Sequence, residues 1–184
     1  LGQLHIRQSI GVEGYVPAPD EQMIVRTNFV GPRYFETLGI SIVNGRAIDE
    51  HDGEDRRPVA VINETMARRY WPGRDPIGQA IHVGGGGEPG EIVGIVKDGK
   101  YDTLDEPSQP YVCYALEQLD VYLKQVNLIV RTEGDPRALM GPIRGEIQQL
   151  DPDMPAPQIM TLDEFLEIRV EETGGPAEMV AIFG

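Results

Sequence analysis

One cysteine stands among 184 residues. Cys113 therefore has no disulfide framework to join, and no thiol-rich metal site can form around it. Basic residues are scarce too: 16 Lys and Arg face 30 Asp and Glu, a formal net charge of −14. Phosphate binding needs Lys and Arg to replace condensed counterions, so this balance argues against nucleic acid. It equally disfavours adhesion to an anionic membrane surface. An acidic exterior of this kind serves mainly to keep a protein soluble. No stretch reaches the roughly 18 to 20 apolar residues that a bilayer span requires. No signal peptide is expected within these residues, since they open Leu1-Gly2-Gln3-Leu4 without Met or a basic start. It stops at Ile182-Phe183-Gly184 just as an apolar run begins, so both ends read as cut from something larger.

Catalytic signatures are equally thin. Gly94 to Tyr101 nearly spells a phosphate loop, but Tyr101 stands where Ser or Thr would hold magnesium. Asp102 to Pro107 cannot open the helix that would receive the phosphate. The run Gly84 to Gly87 lies between two expected strands and reads as a hairpin loop, because a dinucleotide loop needs a helix after it. Asp49 to Asp55 is acidic but lacks the ligand spacing and terminal glutamate of an EF-hand, so it reads as a solvated loop. His5, His51 and His82 show no metal-ligand spacing. No Gly-x-Ser-x-Gly elbow frames a nucleophile, and Cys113 reads as a small core residue. The chain is expected to have no catalytic residue, no metal and no cofactor of its own.

What the chain does have is glycine and proline, 22 and 15 of them, which predict short elements joined by many turns. Strands are expected at His5–Val16 (one strand or a loose hairpin), Met23–Val30, Ile40–Val43, Pro58–Ile62, Ile77–Val83, Glu91–Lys97 and Tyr111–Leu116. Val126–Thr132 and Pro155–Met160 complete the set. Pro32–Leu38 reads as a short helix closed by Gly39. Asn63 is placed to cap a helix through Tyr70, with Glu64 in its first turn and Arg68 and Arg69 in its last. Asp135-Pro136 opens a third helix with the apolar stripe Leu139, Ile143, Ile147 and Leu150. Gly141-Pro142 should kink that helix or weaken its first turn. Thr161-Leu162-Asp163-Glu164 matches a capping box opening a fourth. A strand-helix-strand pattern thus occurs near both ends, which suggests an internal repeat around a strand-rich insert.

Taken in order, several segments resemble the periplasmic core domain of MacB-type ABC-transporter permeases, the MacB/FtsX-like family. They are Asn28-Phe29-Val30-Gly31-Pro32-Arg33-Tyr34-Phe35-Glu36-Thr37-Leu38-Gly39-Ile40 with Asn44-Gly45-Arg46, then Val59 to Pro72 with Asp75-Pro76-Ile77-Gly78-Gln79. Glu91 to Asp98, Pro107, Pro110-Tyr111-Val112, Val130-Arg131-Thr132, Gly134-Asp135-Pro136, Leu150-Asp151-Pro152 and Thr161-Leu162 follow. The resemblance implies an α+β fold in which a porter-like subdomain is built from strand-helix-strand units at 1–45 and 117–176. Residues 46–116 would form an inserted second lobe, and 177–184 the entrance to a transmembrane helix.

It further implies a place outside the cytoplasmic membrane, where the domain transmits ATP-driven motion to substrate extrusion or partner contact. ATP would bind a separate ATPase subunit or domain. The expected partners are the permease's own transmembrane helices, a cytoplasmic ABC ATPase, a second copy as dimer or pseudo-dimer, and a periplasmic adaptor protein. Candidate contact residues lie on the helix ending Arg68, Tyr70 and Trp71 and on the loop holding Gly85 and Glu88. For Tyr70 and Trp71, packing on the adjacent sheet is the commoner role of such an aromatic pair, and contact comes second. The alternative is an autonomous ligand- or protein-binding module, with a hydrolase ranked below both.

Overall fold

Residues 6–84, 88–99, 107–118 and 126–173 are described in this computed structural model, with side chains as far as residue 168. The chain divides into two units, at 1–129 and 130–184. The first holds β1 (Ile6–Val12), β2 (Ile24–Val30), α1 (Tyr34–Thr37), β3 (Ile42–Gly45), β4 (Val59–Asn63), α2 (Glu64–Tyr70), β5 (Ala80–Val83), β6 (Gly90–Val96) and β7 (Tyr111–Ala115). The second holds α3 (Arg137–Leu150) and α4 (Leu162–Thr173). The fold is α+β and rich in strand.

Seven strands form one sheet in the order β3-β6-β4-β7-β2-β1-β5. β5 then returns to β6, pairing Ala80 with Glu91 and Ile81 with Gly90. β6, β4, β7, β2, β1 and β5 therefore close a ring, and β3 is attached along the other end of β6. Closure leaves these six strands without a free edge between them. Within the ring β2–β7 and β4–β6 are parallel, while the remaining pairs are antiparallel.

Side-chain alternation along the strands sorts the apolar residues into two clusters. One gathers Ile10, Val12, Val25, Ala60, Ile62, Ile81, Ile92 and Val112, with Met66, Tyr70 and Trp71 packed among them. It draws on all six ring strands, as the inner face of a ring must. The other gathers Val30, Val59, Val61, Tyr111, Cys113 and Ala115 with Phe35 and Ile48. Both faces of β4 are consequently buried from end to end.

Gly94 sits beside a bulge, where the register between β4 and β6 shifts. A Cβ there would fall on the backbone carbonyl of Arg46, so the close approach of the two chains requires glycine. The near-match to a phosphate loop is thus explained by a packing constraint inside β6.

Several expectations are corrected. The sheet runs across the expected boundary at 45/46, because β1 pairs with β5, β2 with β7 and β3 with β6. Residues 6–45 therefore share one sheet with 59–115, and the second unit begins at Val130. The terminal repeat is not realised either, since β2 and β3 are not neighbours. Residues 126–132 and 155–160 form no strand, having no ladder partner among the described residues. β3 begins two residues late, because Gly39 turns at φ 69° and the Ile40 N–H bonds back to the Phe35 carbonyl. β5 starts at Ala80 and not Ile77, after a turn at Gly78 with φ 79°. α3 runs through Pro142 without a break. Pro142 lies six residues into the helix, and its ring removes the single bond it would have donated to the carbonyl of Ala138.

Candidate contact surface

Among the described residues α2 is the one helix of the first unit with more than a single turn, and side chains anchor it at each end. At its start Asn63 is fully buried. Its Oδ1 accepts from the backbone N–H of Met66 at 3.0 Å and from that of Tyr111 at 3.0 Å, while Nδ2 donates to the Gln109 carbonyl at 2.8 Å. One side chain thus caps α2 and ties it to the strand beside β4. Asp98, just past β6, accepts from the Thr65 N–H, the Thr65 hydroxyl and the Arg68 guanidinium, each at 2.8 Å. Partial burial pushes its carboxyl up, but those donors outweigh it and hold the group below its ordinary 3.8. Lys97 pairs with Glu64 at 3.2 Å on the same turn.

The far end of α2 is fixed by Glu21, in the loop between β1 and β2. Glu21 accepts from the Tyr15 hydroxyl at 2.9 Å and from the Arg69 guanidinium at 2.6 Å. The Arg69 and Tyr15 donors hold its carboxyl below the usual glutamate value, and the same contact raises the Tyr15 hydroxyl. The Tyr15 ring meets Tyr70 edge-on at 5.1 Å. Elsewhere in the unit Asp52 makes a two-pronged pair with Arg46, at 2.6 and 2.8 Å, and Asp49 accepts from the His51 N–H at 2.8 Å. Asp52 is buried and committed to Arg46, outside the acidic loop, so that residue is not solvated as expected, while Asp49 is used within the loop.

Between α2 and β3 lies an open groove of about 400 Å³. Val43, Ala67, Trp71, Pro76 and Ile95 give it an apolar floor, and Arg68, Arg74, Asn44 and Asp75 stand around it. Of the residues singled out from sequence, Arg68 and Trp71 reach this groove. Tyr70 is 0% exposed and Trp71 3%, so the ring cluster claims both as core. A contact role for Tyr70 is thereby corrected, while the packing reading of the pair holds. Glu88 is exposed but does not line the groove. Gly85 lies outside the described residues, as do Tyr101 and the expected membrane entrance at 177–184. Asn44 and Asp75 stand in the resembling segments without a contact role, and the sequence does not single out Arg74. Asn44 lies in β3, some thirty residues before Arg74 and Asp75, and nothing local signals that they meet.

Cys113 is buried, and burial pushes its thiol up, away from the reactive thiolate. Among the described residues no three His, Cys, Asp or Glu side chains converge as metal ligands. None of the described helices is long and apolar enough to cross a membrane.

Comparison with known proteins places this geometry. A family model described as the MacB-like periplasmic core domain matches residues 5–149. The macrolide export ATP-binding/permease protein MacB 2 of Aeromonas hydrophila is 35% identical over 69 residues, 38% of this chain and 10% of that protein. The chain spans only 10% to 16% of the length of the curated relatives it matches. Among solved structures, the periplasmic region of MacB from Actinobacillus actinomycetemcomitans is similar at TM-score 0.63 and 14% identity, over 92% of this chain and 74% of that one. The extracellular domain of the ABC-type transporter YknZ from Gram-positive bacteria is similar at TM-score 0.56 and 16% identity, over 85% and 77%.

Proposed function

The chain belongs to the MacB-like periplasmic core domain family, and from that premise we propose that it is the extracytoplasmic part of an ABC-transporter permease, acting as a stiff extension of the membrane helices. A cytoplasmic ATPase drives those helices, and the domain carries their motion outward to extrude substrate or to engage a partner. It performs no catalysis and holds no nucleotide. A second copy in a dimer or pseudo-dimer and a periplasmic adaptor are its partners, and the rim of the α2 groove, through Arg68, is the proposed contact, with Glu88 a separate exposed candidate.

The closed six-strand ring is the observation that supports this reading most directly. A sheet closed on itself, with α2 pinned at both ends, cannot shear without breaking hydrogen bonds in several ladders together. Such a body transmits displacement instead of absorbing it. The groove favours a second reading, capture of a ligand or protein without force transmission.

The first test is membrane topology of the native gene product, with reporter fusions before Leu1, near Gly84 and beyond Gly184. Extracytoplasmic signal inside the domain, with apolar spans of about 20 residues at both boundaries, is the expected result. A cytoplasmic location would overturn the permease reading. Turnover of generic ester, peptide or phosphate substrates by the purified domain would overturn the non-catalytic one.

A further inference from the structure

Asparagine stands at four positions in the chain, and Asn44 alone is followed by glycine. The dipeptide lies in β3 and both residues are exposed, so water reaches them. The Asn44 amide already faces the next backbone nitrogen, because the Gly45 N–H donates to Asn44 Oδ1 at 2.9 Å. Cγ is one bond from that oxygen, which places the side-chain carbonyl carbon beside the Gly45 nitrogen. Such a local contact is ordinary for asparagine, and the residue that follows decides its chemistry. Glycine carries no side chain to crowd a closing five-membered ring. The fold also forbids replacing it. Gly45 turns at φ 71° and packs on β6, where a Cβ would fall on the Val93 carbonyl oxygen. Asn28 makes the same contact with the Phe29 N–H at 2.9 Å, but it is 8% exposed inside β2 and a bulky residue follows it.

We propose that Asn44 is a modification site at which the folded chain deamidates, with water supplying both the base and the oxygen. Hydroxide takes the Gly45 N–H proton, and the nitrogen attacks Asn44 Cγ. The N–Cγ bond forms, the Cγ–Nδ2 bond breaks, and Nδ2 leaves as ammonia carrying a proton from water. A cyclic imide remains. Water then cleaves it at the Cγ–N bond, giving aspartate, or at the backbone C–N bond, giving isoaspartate. Either product puts a carboxylate in place of the amide whose Nδ2 lay 3.5 Å from Asp75 Oδ1. Both residues border the α2 groove, so its rim gains a negative charge and an attraction there becomes a repulsion. Isoaspartate also lengthens the main chain by one carbon, beside the bulge between β3 and β6. The chemistry needs only Asn44, Gly45 and water, so it does not depend on the transporter reading.

Peptide mapping by mass spectrometry tests this on the folded chain, incubated at pH 7 and at mildly alkaline pH, with ammonia release as a second readout. The amide at Asn44 should turn to acid, faster at the higher pH, and enzymatic methyl labelling should find isoaspartate there. Asn44 should convert at least about 100-fold faster than Asn28, whose buried strand must open first. Asn44→Gln, whose longer side chain cannot close a five-membered ring, should remove most of the ammonia release. Conversion of Asn44 in urea but not in the folded chain would overturn the proposal, since the fold would then protect the site. Equal rates at Asn44 and Asn28 would overturn it too, because conversion would then run through unfolding. So would undiminished ammonia release from Asn44→Gln.

Discussion

Asn63 shows how much one side chain can hold. It satisfies a helix N-cap and two backbone groups of the β7 segment at once, in a fully buried position. Losing the cap costs about 1 kcal/mol, and each backbone group left buried without a partner adds about 1 to 3 kcal/mol. Asn63→Ala should therefore lower the unfolding free energy by at least about 3 kcal/mol, measured by urea denaturation at pH 7. A loss within 0.5 kcal/mol, the usual range for surface changes, would show that water replaces those bonds. Asp98 carries a pH signature on the same helix. Its carboxyl is held below its ordinary 3.8, so the stability it supplies is present above that value and lost as pH falls through the lowered one. Asp98→Asn should melt below the wild type at pH 7, and the gap should narrow progressively as pH falls below 3.8. An unchanged gap would mean that the clamp does not depend on the charge.

Elements whose signals are local were legible in the sequence. Asn63 announces α2, and the box at Thr161 forms as read, with the Thr161 N–H on Glu164 at 2.8 Å and the Glu164 N–H on the Thr161 hydroxyl at 3.2 Å. β2, β4, β6 and β7 stand within a residue or two of their expected bounds, because runs of β-branched residues between turns need no distant information. The segments at 126–132 and 155–160 failed on the same logic. Their composition favours strand, but a strand exists only where another backbone accepts it, and none of the described residues does. Asp98 and Glu21 were missed as anchors because each reaches α2 from 30 or more residues away. Gly94 did offer a signal, a glycine inside a strand, which marks a bulge or a close backbone approach.

For the whole molecule, composition pointed to short elements joined by many turns and the resemblance to an α+β fold, while the layout of the first unit was out of reach. Nothing in the residues of β5 says that it bonds on one side to β1, some seventy positions earlier, and on the other to β6, about ten later. The expected division joined 1–45 to 117–176 around an insert, whereas the β1–β5, β2–β7 and β3–β6 pairings tie 6–45 to 59–115. The β1–β5 pairing has a consequence in time. β5 and β6 can meet early, since closing so short a loop takes about 10 to 100 ns. The seam between Ile10–Val12 and Ile81–Val83 must wait until the rest of the ring has curved far enough to present both edges. Folding should accordingly fall at the slow end for its size, in milliseconds to seconds. In stopped-flow refolding, Ile81→Val should then speed unfolding and leave the folding rate nearly unchanged. A slowed folding rate instead would place the seam at the start of the process. If it does form last, it is also the joint at which the ring would first come undone.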